Sequence, residues 1–200
     1  MLTLADIIEA LQGVRPAGTN MGISEAVVDS RHAIPGSLFV AIKGERTDGH
    51  AYVADAFKHG AHLALIENEI AAEFPVVDLT ATPDLIQPFP PAPFALRVED
   101  TVKALQKIAA FWRRRFDVRV IGITGSVGKS TTKELTAEIL NKRFRTLKNQ
   151  GNFNNEIGLP LTILRLGPGY QHVVLEMGFY EPHDIELLCE IPQPQVGGLT

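Results

Sequence analysis

The residues best suited to chemistry lie between Val120 and Thr131, in Val-Ile-Gly-Ile-Thr-Gly-Ser-Val-Gly-Lys-Ser-Thr. An apolar run (Val118, Val120, Ile121, Ile123) enters a glycine-bearing loop, and a helical sequence follows, Thr131-Thr-Lys-Glu-Leu-Thr-Ala-Glu-Ile-Leu140. Strand, loop and helix in this order form a phosphate cradle. Glycines let backbone N–H groups approach phosphate oxygens, and the helix start adds the positive end of its dipole. The segment Gly125, Ser126, Val127, Gly128, Lys129, Ser130 and Thr131 is therefore the candidate nucleoside-triphosphate site. Lys129 can reach the β and γ phosphates, and the Ser130 hydroxyl can ligate Mg²⁺. The loop departs from the general P-loop pattern at one place. A glycine is wanted five residues before Gly128, where Ile123 stands, and the glycine present is Gly125. A bare Gly-Lys-Ser also suits an ordinary turn before a helix; the flanking strand and helix favour the phosphate reading.

Val173-Val-Leu-Glu-Met-Gly178 carries the second feature. A carboxylate at the end of an apolar strand is costly to bury unpaired. In an open parallel sheet, ligands bind beyond the carboxyl ends of the strands. Glu176 is thus expected on the rim that holds Lys129 and Ser130, facing Ser130 across a gap suited to a hydrated Mg²⁺. A salt bridge to a nearby lysine or arginine is the other reading. Asn149-Gln-Gly-Asn-Phe-Asn-Asn155 precedes a short helix. Asparagines tolerate turns, and their amides also offer paired donors and acceptors near a helix start. Residues alone leave turn and site open there. Val28-Asp-Ser-Arg31 suits a turn, with phosphate or nucleotide binding by Ser30 and Arg31 as the weaker reading, and Asp48-Gly49 suits a turn.

These residues need elements to hold them. Five prolines between positions 81 and 93 exclude a helix or inner strand, so 81–98 is expected to be a loop and linker. Before it, 1–80 reads as a small α/β domain: a short amphipathic N-terminal helix, strands at Val27-Val28, Leu38–Ile42, Ala64–Ile66 and Val76-Val77, and a helix Ala51–His59. After it, 99–200 reads as a second domain. Val102, Leu105, Ile108, Ala109, Trp112 and Phe116 fall on one face of a helix over Asp100–Phe116, with Asp100 as N-cap. Strands at Arg119–Thr124, Phe144–Leu147, His172–Glu176 and Val196–Thr200 alternate with helices at Thr131–Phe144, Glu156–Leu164 and Asp184–Cys189. That alternation predicts an α/β fold with a parallel sheet. The last strand runs to Thr200, so the chain is expected to stop inside a domain.

Composition narrows the function. The chain has 200 residues, 45% of them apolar, and a net charge of −4, which argues against nucleic-acid binding. Arg113-Arg114-Arg115 reads as the wet face and end of a helix rather than a binding patch. A single cysteine, Cys189, rules out a disulfide framework within the chain and suits the cytoplasm. The histidines show no metal-site spacing, and no apolar run approaches the length of a membrane span.

Thr124-Gly-Ser-Val-Gly-Lys-Ser130, Gly151-Asn-Phe-Asn-Asn-Glu-Ile-Gly-Leu-Pro160 and Leu175-Glu-Met-Gly178, in this order, resemble the Mur ligases of peptidoglycan synthesis. Asp29-Ser-Arg31, Gly36-Ser-Leu-Phe-Val-Ala41 and Asp48-Gly-His50 are similar to the uridine-nucleotide-binding domain of the same family. The resemblance implies an ATP- and Mg²⁺-dependent ligase. It phosphorylates the terminal carboxylate of UDP-N-acetylmuramoyl tripeptide, and the amine of D-alanyl-D-alanine attacks the acyl phosphate. It assigns catalytic roles to Lys129 and Glu176, metal binding to Ser130 and Glu176, and the muramoyl substrate to Asn154 and Asn155. The uridine diphosphate end falls to Ser30, Arg31, Arg46, Thr47 and Asp48. Family members are more than twice this length and are expected to be monomers. Their later metal-binding histidine, carbamylated lysine and closing C-terminal domain would follow Thr200, so the chain as written is expected not to ligate. In place of the family's usual Gly-Asp-Ile, His183-Asp-Ile185 predicts a changed helix start. The other readings are the ligase that adds the third stem-peptide residue, an ordinary P-loop kinase or GTPase, and a non-catalytic nucleotide-binding fragment.

Overall fold

A computed structural model describes every residue except 45–46, 71–72 and 82–88. The chain forms two compact units, Met1–Ile108 and Ala109–Thr200.

In the first unit, β1 (Leu2–Thr3) pairs antiparallel with β2 (Gly22–Ile23). Between them lies α1 (Leu4–Gln12). Thr3 caps α1 reciprocally with Asp6: the Asp6 N–H donates to Thr3 Oγ1, and the Thr3 N–H donates to Asp6 Oδ2. Gly13 ends the helix at φ 76°, a left-handed conformation that favours glycine. The apolar face of α1, Leu4, Ile7 and Ile8, is buried, as its amphipathic pattern requires.

A five-stranded sheet follows, built from β3 (Ala26–Val27), β4 (Leu38–Val40), β5 (Leu63–Ile66), β6 (Val76–Asp78) and β7 (Phe94–Arg97). Its order is β3-β4-β5-β7-β6, with every pairing parallel. β4 and β5 are buried along their whole length, as their continuous apolar runs require. The helix read at Ala51–His59 begins as a 3₁₀ turn, Gly49–Tyr52, and continues as α2 (Val53–Lys58).

The expected linker needs correction. Phe94–Arg97 is an inner strand between β5 and β6, and its Phe94, Ala95 and Leu96 are fully buried. The first unit therefore does not end at the proline-rich stretch, of which residues 82–88, with the loop expected there, lie outside the described residues. The division falls inside α3 (Thr101–Arg113), after Ile108. Asp100 caps α3 by accepting the Lys103 N–H, as expected.

The second unit holds β8 (Arg119–Thr124), α4 (Lys129–Asn141), β9 (Thr146–Lys148), α5 (Gly158–Leu164), β10 (His172–Glu176), α6 (Asp184–Glu190) and β11 (Val196–Leu199). The sheet order is β11-β8-β10-β9, all parallel. This is the predicted α/β class with parallel sheets. Arg113 is not on a wet face. It is buried, and its guanidinium donates to the carbonyls of Pro192, Phe116 and Val118. Three carbonyl acceptors compensate the burial of a group that never loses its charge. His183 occupies the N-cap of α6 at φ 74°. That left-handed position is one glycine takes without strain, and it accounts for the changed helix start.

Candidate nucleotide and substrate sites

The loop after β8, from Ser126 to Gly128, and the first turn of α4 form one wall of a cavity of about 540 Å³. Gly125 and Gly128 turn the loop at φ 138° and 90°. A Cβ on Gly125 would meet Thr200 O at 2.0 Å, so no other residue fits there. α4 starts at Lys129, two residues earlier than the sequence reading placed it, and the N–H groups of its first turn point out of the helix end. Lys129 Nζ rests 2.6 Å from Gly125 O.

β10 runs beside β8 in register, with Glu176 opposite Ile123, and this brings Glu176 to the same rim. Glu176 is buried, 4% exposed, and its carboxylate accepts at both oxygens. Ser130 Oγ donates to Oε2 at 2.8 Å, and Asn154 Nδ2 donates to Oε1 at 2.9 Å. These hydrogen bonds take the place of the alternative salt bridge. They also close the gap that was expected between Ser130 and Glu176: the two side chains touch directly, at 2.8 Å. The donor set suits Mg²⁺: hard oxygens, one carboxylate, and room for phosphate and water. Among the described residues no group of three or more His, Cys, Asp or Glu side chains gathers to hold a metal by protein ligands alone.

Asn149 was missed as a site residue. It is fully buried, and its side-chain amide extends the β9–β10 pairing by one step. Nδ2 donates to Glu176 O at 2.9 Å and to Phe153 O at 2.8 Å, while Oδ1 accepts the Glu176 N–H at 2.9 Å. The buried Lys133 donates to Asn149 O at 3.0 Å. In the sequence Asn149 stood out only as the first of the four asparagines between positions 149 and 155. Phe179 and Tyr180 also line the cavity with Ser126–Thr131, Asn154 and Gly178. Asn155 instead caps α5: its Oδ1 accepts the N–H groups of Ile157 and Gly158.

The first unit has its own cavity, of about 530 Å³, with Asp29, Ser30, Arg31, Thr47, Gly49, Tyr52 and Asp55 on its walls. Ser30 is buried and donates to Asp55 Oδ2 at 2.7 Å. Asp29 accepts the Arg31 N–H and pairs with the Arg31 guanidinium, with Nη2 2.6 Å from Oδ2. The guanidinium's hydrogen bonds pull the Asp29 carboxyl down from the ordinary 3.8 to about 2. Of the expected contacts, the structure brings Ser30, Arg31 and Thr47 together here. Asp48 is not on the wall, and Arg46 lies outside the described residues. Tyr52 and Asp55 carried no sequence signal, because only the fold of α2 against the 3₁₀ turn Ser30–His32 brings them to the cavity.

A parallel sheet with a glycine-bearing turn at its carboxyl rim, and an adjoining carboxylate hydrogen-bonded to the serine after it, is the architecture of the P-loop α/β class. Residues 23–113 match the model of the Mur ligase family catalytic domain, and residues 123–200 that of the Mur ligase middle domain. The chain belongs to the Mur ligase family. It is 38% identical to the UDP-N-acetylmuramoyl-tripeptide–D-alanyl-D-alanine ligase of Synechocystis, a match covering 100% of the chain and 41% of that protein. It thus spans about two fifths of the length of this relative. A crystal structure of MurF from Acinetobacter baumannii superposes with a TM-score of 0.78 at 34% identity, over 97% of this chain and 39% of that one. The MurF ligase of Thermotoga maritima in complex with ADP gives 0.69 at 35% identity, over 85% and 35%.

Proposed function

We propose that this chain carries the nucleotide-binding machinery of an ATP-dependent ligase that joins D-alanyl-D-alanine to UDP-N-acetylmuramoyl tripeptide. The observation that carries the reading is the contact of Ser130 with Glu176 at the mouth of the phosphate loop, with Asn154 of the Asn-rich segment on the other carboxylate oxygen. The relatives' names supply the substrates.

In this reading Lys129 leaves the neutral Gly125 carbonyl for a charged phosphate oxygen, the stronger acceptor. The loop N–H groups and the α4 dipole take up charge on the same phosphates. Ser130 keeps its hydrogen on Glu176, which leaves its lone pairs free for a metal, and Glu176 offers the remaining lone pairs of its carboxylate. Mg²⁺ bound there supplies neutralisation of the charge on the transferring phosphoryl group. Asn154, on the cavity wall, faces the muramoyl substrate, and Asn155 holds the Asn-rich loop through its hydrogen bonds to the start of α5. The first-unit cavity takes the uridine diphosphate end, through Ser30, Arg31 and Thr47. We place the reaction in the cytoplasm, in keeping with the single reduced cysteine.

Calorimetry tests the binding half. The chain should bind ADP with Mg²⁺, and Lys129→Ala should weaken that binding by on the order of tenfold or more, as loss of a hydrogen bond to a charged group implies. ADP affinity equal in both proteins refutes the nucleotide reading. The whole enzyme's reaction is tested with ATP, Mg²⁺, UDP-N-acetylmuramoyl tripeptide and D-alanyl-D-alanine. Phosphate release that needs both substrates and yields the pentapeptide is the expected result. Release with a dipeptide stem and a single amino acid instead would assign the preceding step.

A further inference from the structure

We propose that His50 is a positioning residue for the first-unit cavity: as a neutral imidazole protonated at Nδ1, it holds the 47–49 turn that forms part of the wall. The proposal rests on reading that cavity as the pocket for a uridine nucleotide.

His50 lies in the 3₁₀ turn Gly49–Tyr52, with its side chain 5% exposed. Nε2 is 2.9 Å from Glu67 N and 3.2 Å from Asn68 N. Backbone N–H groups can only donate, so Nε2 must carry the lone pair. The ring proton is then on Nδ1, where it is donated to Asp48 Oδ1 at 2.5 Å. The same oxygen accepts the His50 N–H at 2.9 Å. Two backbone donors thus dictate the tautomer, and the ring's other nitrogen passes that constraint to Asp48.

The ring joins the 47–49 turn to the chain that follows β5. The turn is tight in other ways. Gly49 N–H donates to Ile42 O, Gly44 N–H donates to Thr47 O, and a Cβ on Gly49 would meet Ile42 N at 2.6 Å. Thr47 and Gly49 face the cavity, and Asp48 does not. Asp48 therefore acts through the turn: its Oδ1 is used twice within it, and the ligand-facing groups are Thr47 and the Gly49 backbone. A donor set held this way reaches a ligand without first being ordered, which is how supporting hydrogen bonds raise affinity.

Long-range ¹⁵N NMR on the chain reads the tautomer directly. Nε2 should show the shift of an unprotonated acceptor and Nδ1 that of a protonated nitrogen; the reverse overturns the proposal. Calorimetry with UDP reads the positioning. His50→Gln keeps an acceptor near Nε2 and loses the donor to Asp48. His50→Asn keeps that donor and loses the acceptor for Glu67 and Asn68. Each should lower UDP affinity about tenfold, the worth of one severed hydrogen-bond link. ADP affinity should stay at the wild-type value in both. UDP affinity equal to wild type in both variants overturns the proposal, whatever their melting temperatures. If the wild type binds no UDP, the pocket reading fails by itself. The proposal is then decided by the amide resonances of Thr47 and Gly49, which move in both variants if His50 holds the turn and stay in place if it does not. If neither variant folds, the nitrogen shifts of the wild type decide.

Discussion

Asn149→Ala separates the support of the phosphate-loop site from its chemistry. The substitution removes three hydrogen bonds made by one fully buried amide: two from Nδ2, to Glu176 O and Phe153 O, and one to Oδ1 from the Glu176 N–H. A methyl group replaces none of them. At about 1 kcal/mol net per bond, and more where a buried group stays unpaired, the loss is about 3 kcal/mol. With a urea m-value of about 2 kcal/mol/M, the unfolding midpoint should fall by about 1.5 M. Trp112, the single tryptophan, reports on the second unit, since it is buried there and its Nε1 donates to Leu166 O. Urea unfolding followed by its fluorescence is the assay. Asn152→Ala is the control, because Asn152 is exposed and its loss should stay within about 0.5 kcal/mol. If Asn149→Ala unfolds at the same urea concentration as Asn152→Ala, the amide does not hold Glu176 and the reasoning fails.

Asn154→Ala should leave the fold intact and weaken Mn²⁺, used as a stand-in for Mg²⁺ with bound ADP, by about 10- to 100-fold, because it removes the hydrogen bond that orients Glu176 Oε1; unchanged Mn²⁺ binding by paramagnetic resonance would count against the metal role. The Asp29 carboxyl should titrate at about 2 by NMR and return toward 3.8 in Arg31→Ala. As a depressed carboxyl, its contribution to stability is present above 3.8 and lost as pH falls toward 2, so the two proteins should differ in stability at neutral pH and converge in strong acid. His183→Gly should raise stability by about 1 kcal/mol, less the entropy glycine adds to the unfolded chain, by relieving a left-handed backbone at φ 74°; a lower melting temperature would show that the His183 pairing with Glu186 outweighs the strain.

What the sequence determined by itself is local. Arg119–Thr124 and His172–Glu176 stand as strands over the residues the apolar runs marked, because the inner residues of a parallel sheet, here Val120, Ile123 and Val173–Leu175, are buried and have to be apolar. The turn between β8 and α4 was legible because its glycines, lysine and serine lie close together in the chain, between an apolar run and a helical sequence. Glu176 was legible because a carboxylate ending an apolar strand needs a reason to be there. Phe94–Arg97 was misread because the prolines before it dominate any local reading, whereas its place between β5 and β6 is set by pairing with residues far away in the chain. Burial of Arg113 depends on the Pro192 carbonyl, 79 residues on, which no window of sequence contains. The same separation hid Asn149, whose partner Glu176 is 27 residues away, and Asp55, which meets Ser30 across 25. His50 was visible only as one residue of a turn. That its ring carries its proton toward Asp48 follows from two backbone N–H groups beyond β5, and only the tertiary structure brings a donor of that kind to a particular nitrogen.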